Sequence, residues 1–163
     1  KKRVDEIDNF EQGHDKGHTL RVLLMMTFII DRQKLSAEAL EIVYKAACFH
    51  DAGRVNGMAD PTHGLLGAVW YRKHCGEDEA VEFLIKYHSL DDEMAAAALL
   101  KSNFACKEEM WFLYQILKDA DALDRVRFKY YGNGALDEKF LRLECSKEMV
   151  GVAYKLLASD LEI

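Results

Sequence analysis

The stretch Ser36–Asp51, SAEALEIVYKAACFHD, decides how this chain folds. Ser36 is a ready helix N-cap, because its hydroxyl can accept one of the amide protons that the first turn leaves unbonded. From there apolar residues return every three to four positions, the period of a helix with one buried face. Val43, Ala46 and Ala47 share the face of His50, so that ring is aimed with the small, apolar, inward side. Asp51 follows at once. A histidine and a carboxylate at the inner end of a buried stripe need a reason, since burying an unpaired carboxylate is strongly unfavourable.

The same helical period recurs on both sides of this stretch. It predicts a first helix from about Lys16 to Asp31, then the quoted helix from Ser36 to His50. Residues 51–62 carry Gly53, Gly57 and Pro61 and read as a loop. Thr62 is expected to cap a third helix reaching about Cys75. Gly76 is expected to stop it from the left-handed conformation that glycine adopts readily. A fourth helix covers about Asp78 to His88. Asp91 and Asp92 open an alanine-rich fifth, in which Ala95–Ala98 read as packing filler. A long sixth runs from about Lys107 to Arg127, and Gly132–Gly134 break the chain. Ser146 is expected to cap a last helix that ends near Ala158. There is a single proline, and no stretch alternates with period two, so no strand is expected. The expectation is an all-α, single-domain helical bundle over residues 1–163. Its motif-bearing core covers about 10–127, and C-terminal helices over 137–160 pack on it.

With 163 residues, half of them hydrophobic and 31% charged, the chain can build a core. A net charge of −6 argues against a general nucleic-acid binder, which needs a basic surface. It leaves room for a small phosphorylated substrate, which needs only local positive charge. The four cysteines, Cys48, Cys75, Cys106 and Cys145, form no CxxC pair and read as reduced core thiols, consistent with the cytoplasm. The polar opening KKRVDEIDNFEQ does not read as a signal peptide. The longest apolar stretch, Val22–Ile30, is too short to span a membrane. Nothing in the sequence indicates an oligomeric state.

Six histidines occur: His14, His18, His50, His63, His74 and His88. His74, beside Arg72 and Lys73, reads as part of a solvated face. His18 shares a face with Val22, Met25, Met26 and Ile29. Asp121 shares one with Met110, Tyr114 and Leu117, and His88 ends a stripe of Val81, Leu84 and Ile85. Separate helices thus each turn an imidazole or a carboxylate inward. A buried hydrogen-bonded network is one explanation. A bound divalent cation is the other, and it also explains why the groups converge. Imidazole with carboxylate suits Mn, Fe, Ni, Co or Zn better than calcium. For phosphate, the candidates are Lys16, Arg21 (three residues from His18) and Arg54 (just past the doublet), arginine offering a planar fork.

The order HTLRV at His18, HD at His50–Asp51 and DADALD at Asp119–Asp124 resembles the HD-domain metal-dependent phosphohydrolase superfamily. The likeness spans about Phe10 to Arg127. It implies an HD-type bundle in which His18, His50, Asp51 and Asp121 hold a divalent transition metal. His14, one turn before His18, and Asp119, two residues before Asp121, are then expected to support the ligands, Asp119 being otherwise a solvated carboxylate. His63, in THGLLGA, and His88, in KYHSLDD, correspond to histidines that hold a second metal in binuclear relatives, bridged by the doublet aspartate. His88 stands alone where such relatives carry His-His-Glu, so the reading leans to one cation per chain with two as the alternative. With one cation, His63 and His88 contact the phosphate or protonate the leaving group, and Asp51 takes the proton of the attacking water. The implied activity is hydrolysis of a phosphoester or phosphoanhydride, with a nucleotide as the preferred small substrate. A di-iron oxygenase or a non-catalytic nucleotide-sensing module are the other activities that the resemblance admits.

Overall fold

The computed structural model describes residues 16–54, 60–128 and 135–159. Helix α1 (Lys16–Ile30) buries Val22, Met25, Met26 and Ile29, with His18 at the head of the same stripe. Ser36 caps α2 (Ala37–Phe49), its Oγ accepting from the Ala39 amide at 3.0 Å. Then come α3 (His63–Cys75), α4 (Glu79–Tyr87), α5 (Asp92–Lys101) and α6 (Lys107–Asp124). The end of α6 tightens into a 3₁₀ turn over Arg125–Phe128. A second 3₁₀ turn (Glu138–Phe140), α7 (Glu144–Lys147) and α8 (Val150–Ala158) complete the order. Among the described residues there is no strand, so the fold is all-α as expected.

Two helix pairs form the frame. Helix α1 packs along α6, and α3 packs along α4, while α2 touches both α4 and α6 and joins the pairs. Their apolar faces meet in one core: Met25, Met26 and Ile29 from α1, Val43 and Ala46 from α2, Leu84 and Ile85 from α4, and Leu113, Ile116 and Leu117 from α6 are essentially inaccessible. Helix α8 lies against α1, α6 and the 3₁₀ turn that follows α6. Because α2 is the joint, its C-terminal end, where His50 and Asp51 sit, opens where the two pairs meet.

The α3–α4 approach depends on glycine. A Cβ on Gly64 would lie 2.7 Å from the carbonyl oxygens of Ile85 and Lys86. One on Gly53 would lie 2.2 Å from the Gly67 nitrogen and the His63 carbonyl. Hydrogen at these positions lets α3 bring His63 up against the doublet.

Several local expectations are corrected. Thr62 makes no side-chain cap to α3: its backbone is already helical rather than extended, and its hydroxyl and amide donate to Asp60 Oδ1 at 2.7 and 2.8 Å. Ser146 does not cap the last helix. It lies inside α7, buried, with no hydrogen bond to its Oγ, and α8 begins only at Val150. Cys106 is exposed and the other thiols are half-buried, all free, so the core-thiol reading fails for Cys106. Gly76 does stop α3, with φ at 102°, and the Asp78 carboxylate caps α4 by accepting from the Val81 amide. Gly57, Gly132–Gly134 and His14 lie outside the described residues. No helix among the described residues is long and apolar enough to cross a membrane.

Candidate metal centre

Four imidazoles converge at the end of α2, and each is oriented the same way. The Nδ1 atom of His50 lies 2.8 Å from the Ala47 carbonyl, and that of His88 lies 2.6 Å from the Ile85 carbonyl. His63 Nδ1 likewise bonds the Asp60 carbonyl, and His18 Nδ1 meets Asp124 Oδ2 at 2.7 Å. A carbonyl or an ionised carboxylate only accepts, so each Nδ1 donates its proton outward. Every Nε2 is thereby turned inward. His18 and His50 bring these atoms within 3.1 Å of each other, and His63 and His88 within 2.9 Å.

Asp51 stands between the two rings-pairs. Its Oδ2 lies 3.4 Å from His18 Nε2 and 3.6 Å from His50 Nε2. Its Oδ1 lies 3.1 Å from His63 Nε2 and 3.6 Å from His88 Nε2. Asp121 Oδ1 joins the first group, 3.4 Å from His18 and 3.8 Å from His50. Donors about 2.0–2.2 Å from a shared cation must lie roughly 3–3.5 Å from one another, which is close to this spacing. All four rings and Asp51 are buried, while the Asp121 side chain keeps 30% of its exposure and leaves one side open.

The electrostatics point the same way. Burial disfavours a charged His18, but its bonds to Asp124 and Asp51 and the charge of Asp121 outweigh this and raise its pKa to about 9. Burial drives His50 down to about 4, only partly opposed by Asp51. For Asp121 burial would favour the neutral acid, yet His50 and His18 hold it well below the usual carboxylate range. The carboxylates favour positive charge here, and imidazole nitrogens with carboxylate oxygens are donors that could hold a metal ion. On the other side, the facing His63 and His88 nitrogens and Asp51 Oδ1 form a second set of three donors.

Of the expected residues, His18, His50, Asp51, Asp121, His63 and His88 come together. Arg54 joins them by donating from Nε to Asp51 Oδ1 at 2.8 Å. Lys16 is exposed at the start of α1. Arg21, expected at a phosphate, pairs with Asp124, its Nε 2.5 Å and its Nη2 3.2 Å from the two oxygens. Asp119 does not support the ligands, nor is it solvated. Fully buried, it accepts from the backbone amides of Arg142 and Leu143 at 3.0 and 2.8 Å, because two residues of helix turn it away from Asp121. The sequence reading missed Asp124 and Arg127. The signal was present in part, since Asp124 is three residues from Asp121 and shares its side of α6.

A helical frame thus gathers buried histidines and aspartates into two clusters that could hold a metal ion. The HD-domain family model matches residues 16–126, and the chain belongs to the HD domain family, whose members are in general metal-dependent hydrolases. Neither a curated protein nor a solved structure matches the chain.

Proposed function

We propose that this domain hydrolyses a phosphoester or phosphoanhydride of a small molecule, with a nucleotide as the preferred class. Divalent transition metals would be held by His18, His50, Asp51 and Asp121, and by Asp51, His63 and His88. The observation that carries the reading is the division of Asp51, one oxygen towards each pair of Nε2 atoms. It favours two cations over the single cation suggested by the isolated His88. When bound, such cations supply an acidified water and polarise a phosphoryl oxygen.

The chain's own groups do the rest. Arg54 pins Asp51 through Oδ1, and its guanidinium lies beside the donors, where it can meet a phosphate oxygen. The backbone carbonyls of Ala47 and Ile85 hold the His50 and His88 rings against rotation. The partly open side chain of Asp121 supports substrate entry from that side. If only the His18 side is loaded, His63, its Nε2 3.1 Å from Asp51 Oδ1, would serve in its doubly protonated form as the acid for the leaving oxygen.

Elemental analysis of purified protein with a turnover screen over nucleotides and other small phosphate esters tests this reading. Metal near two per chain and phosphate release are expected. His63→Ala or His88→Ala should lower the count towards one. A count of one that these changes leave untouched, with kcat reduced roughly 10²–10⁴-fold, would assign both rings to acid chemistry. Protein that binds no metal would overturn the whole reading.

A further inference from the structure

Asp124 is 2% exposed and gathers groups from two other elements. From α1 come His18 and, one turn on, Arg21. From the 3₁₀ turn comes Arg127, whose Nη1 reaches Asp124 Oδ2 at 2.6 Å and the Asp124 carbonyl at 3.0 Å. The carboxylate thus faces two guanidinium groups and one ring N–H. It touches His18 on the Nδ1 edge, the edge opposite the Nε2 that faces His50 and Asp51. It is therefore placed to orient that ligand without competing for the cation.

A carboxylate held by one imidazole alone could rotate or swing aside. Here Arg21 Nε fixes Oδ1, and Arg127 with Arg21 Nη2 fixes Oδ2, so the acceptor offered to His18 has one direction. We propose that Asp124 is the positioning residue of the cation group built on His18, and that Arg21 and Arg127 hold its two oxygens in place. This reassigns Arg21 from substrate contact to support of a ligand. It also accounts for two arginines, only 19% and 8% exposed, on a single carboxylate next to a centre that already carries Asp51 and Asp121.

The proposal rests on the metal reading above, and the test separates the two. Metal-stripped wild-type, Asp124→Asn and Arg21→Gln proteins are titrated with Mn²⁺ by calorimetry, and metal-free melting is followed by circular dichroism. Asparagine keeps the shape but loses the charge, so one Mn²⁺ step should weaken by roughly 10–100-fold. Arg21→Gln should weaken the same step by a smaller factor. Should Asp124→Asn fail to fold, the Arg21→Gln titration decides alone. Lower melting temperatures with undiminished Mn²⁺ affinity would mark Asp124 as purely structural and overturn the proposal. Wild-type protein that takes up no Mn²⁺ would overturn the metal reading and this proposal with it.

Discussion

Asp51 keeps its oxygens in different company, and this makes it the most consequential single residue. Asp51→Ala removes a donor from both groups at once. We expect metal content to fall and kcat to drop more than about tenfold, a barrier change above about 1.4 kcal/mol. The fold should persist, because removing one of several crowded carboxylates also relieves repulsion with Asp121. Turnover measured beside circular dichroism checks both halves; retention of more than about a tenth of kcat would contradict the assignment. His18, His50 and Asp121 were legible in the sequence because each sits on an apolar stripe, and a stripe states which way a side chain points. Asp119 was not legible. Its partners, the amides of Arg142 and Leu143, come from a distant segment, and no local pattern announces them. Asp124 shared a visible face with Asp121, but which carboxylate meets the His18 ring depends on how closely α1 packs along α6.

The glycines of α3 set how closely it can approach α4. At Gly64 an added methyl would meet two carbonyl oxygens of the α4 C-terminus and Ser89 Oγ, all at 2.7 Å. Gly64→Ala should therefore push α3 from α4 and destabilise the protein by about 1–3 kcal/mol, the usual range for overpacking. Urea denaturation measures the loss. Since His63 opens α3 and His88 closes α4, elemental analysis should also show loss of the cation on that side while the His18 side stays loaded. Helix ends were legible where the capping group is local, as with Ser36, Gly76 and Asp78. They were misread where the backbone does not suit a cap: Thr62 already has helical dihedrals, and Ser146 lies inside α7, four residues before α8 begins.

Across the whole molecule, the C-terminal segment is tied to the bundle by Arg142. It grips Asp92 with Nε and Nη2 at 2.8 and 2.7 Å, while Lys118 reaches the same carboxylate at 2.9 Å. Burial would raise the Asp92 carboxyl, but Arg142 and Lys118 outweigh it and hold it far below the usual range. A carboxylate depressed in the folded state contributes stability above its unfolded pKa of about 3.9 and loses it as pH falls towards the folded value. Asp92→Asn should thus melt at a lower temperature than wild type at pH 7, with the gap closing below about pH 4; melting curves from pH 7 to 2 test this. Metal acts on the same scale. A cation at about 100 times its Kd adds about 2.7 kcal/mol to the folded state, or roughly 5–10 °C in a chain of this length. A chelator should reverse that shift. The location of the donors gives it a mechanical meaning. Helix α2 is the joint between two helix pairs, and Asp51 at its end reaches into both. A cation bound there would fasten a clasp: the splay of one pair against the other would be locked from the inside, and the stripped protein would be the same frame with its clasp undone.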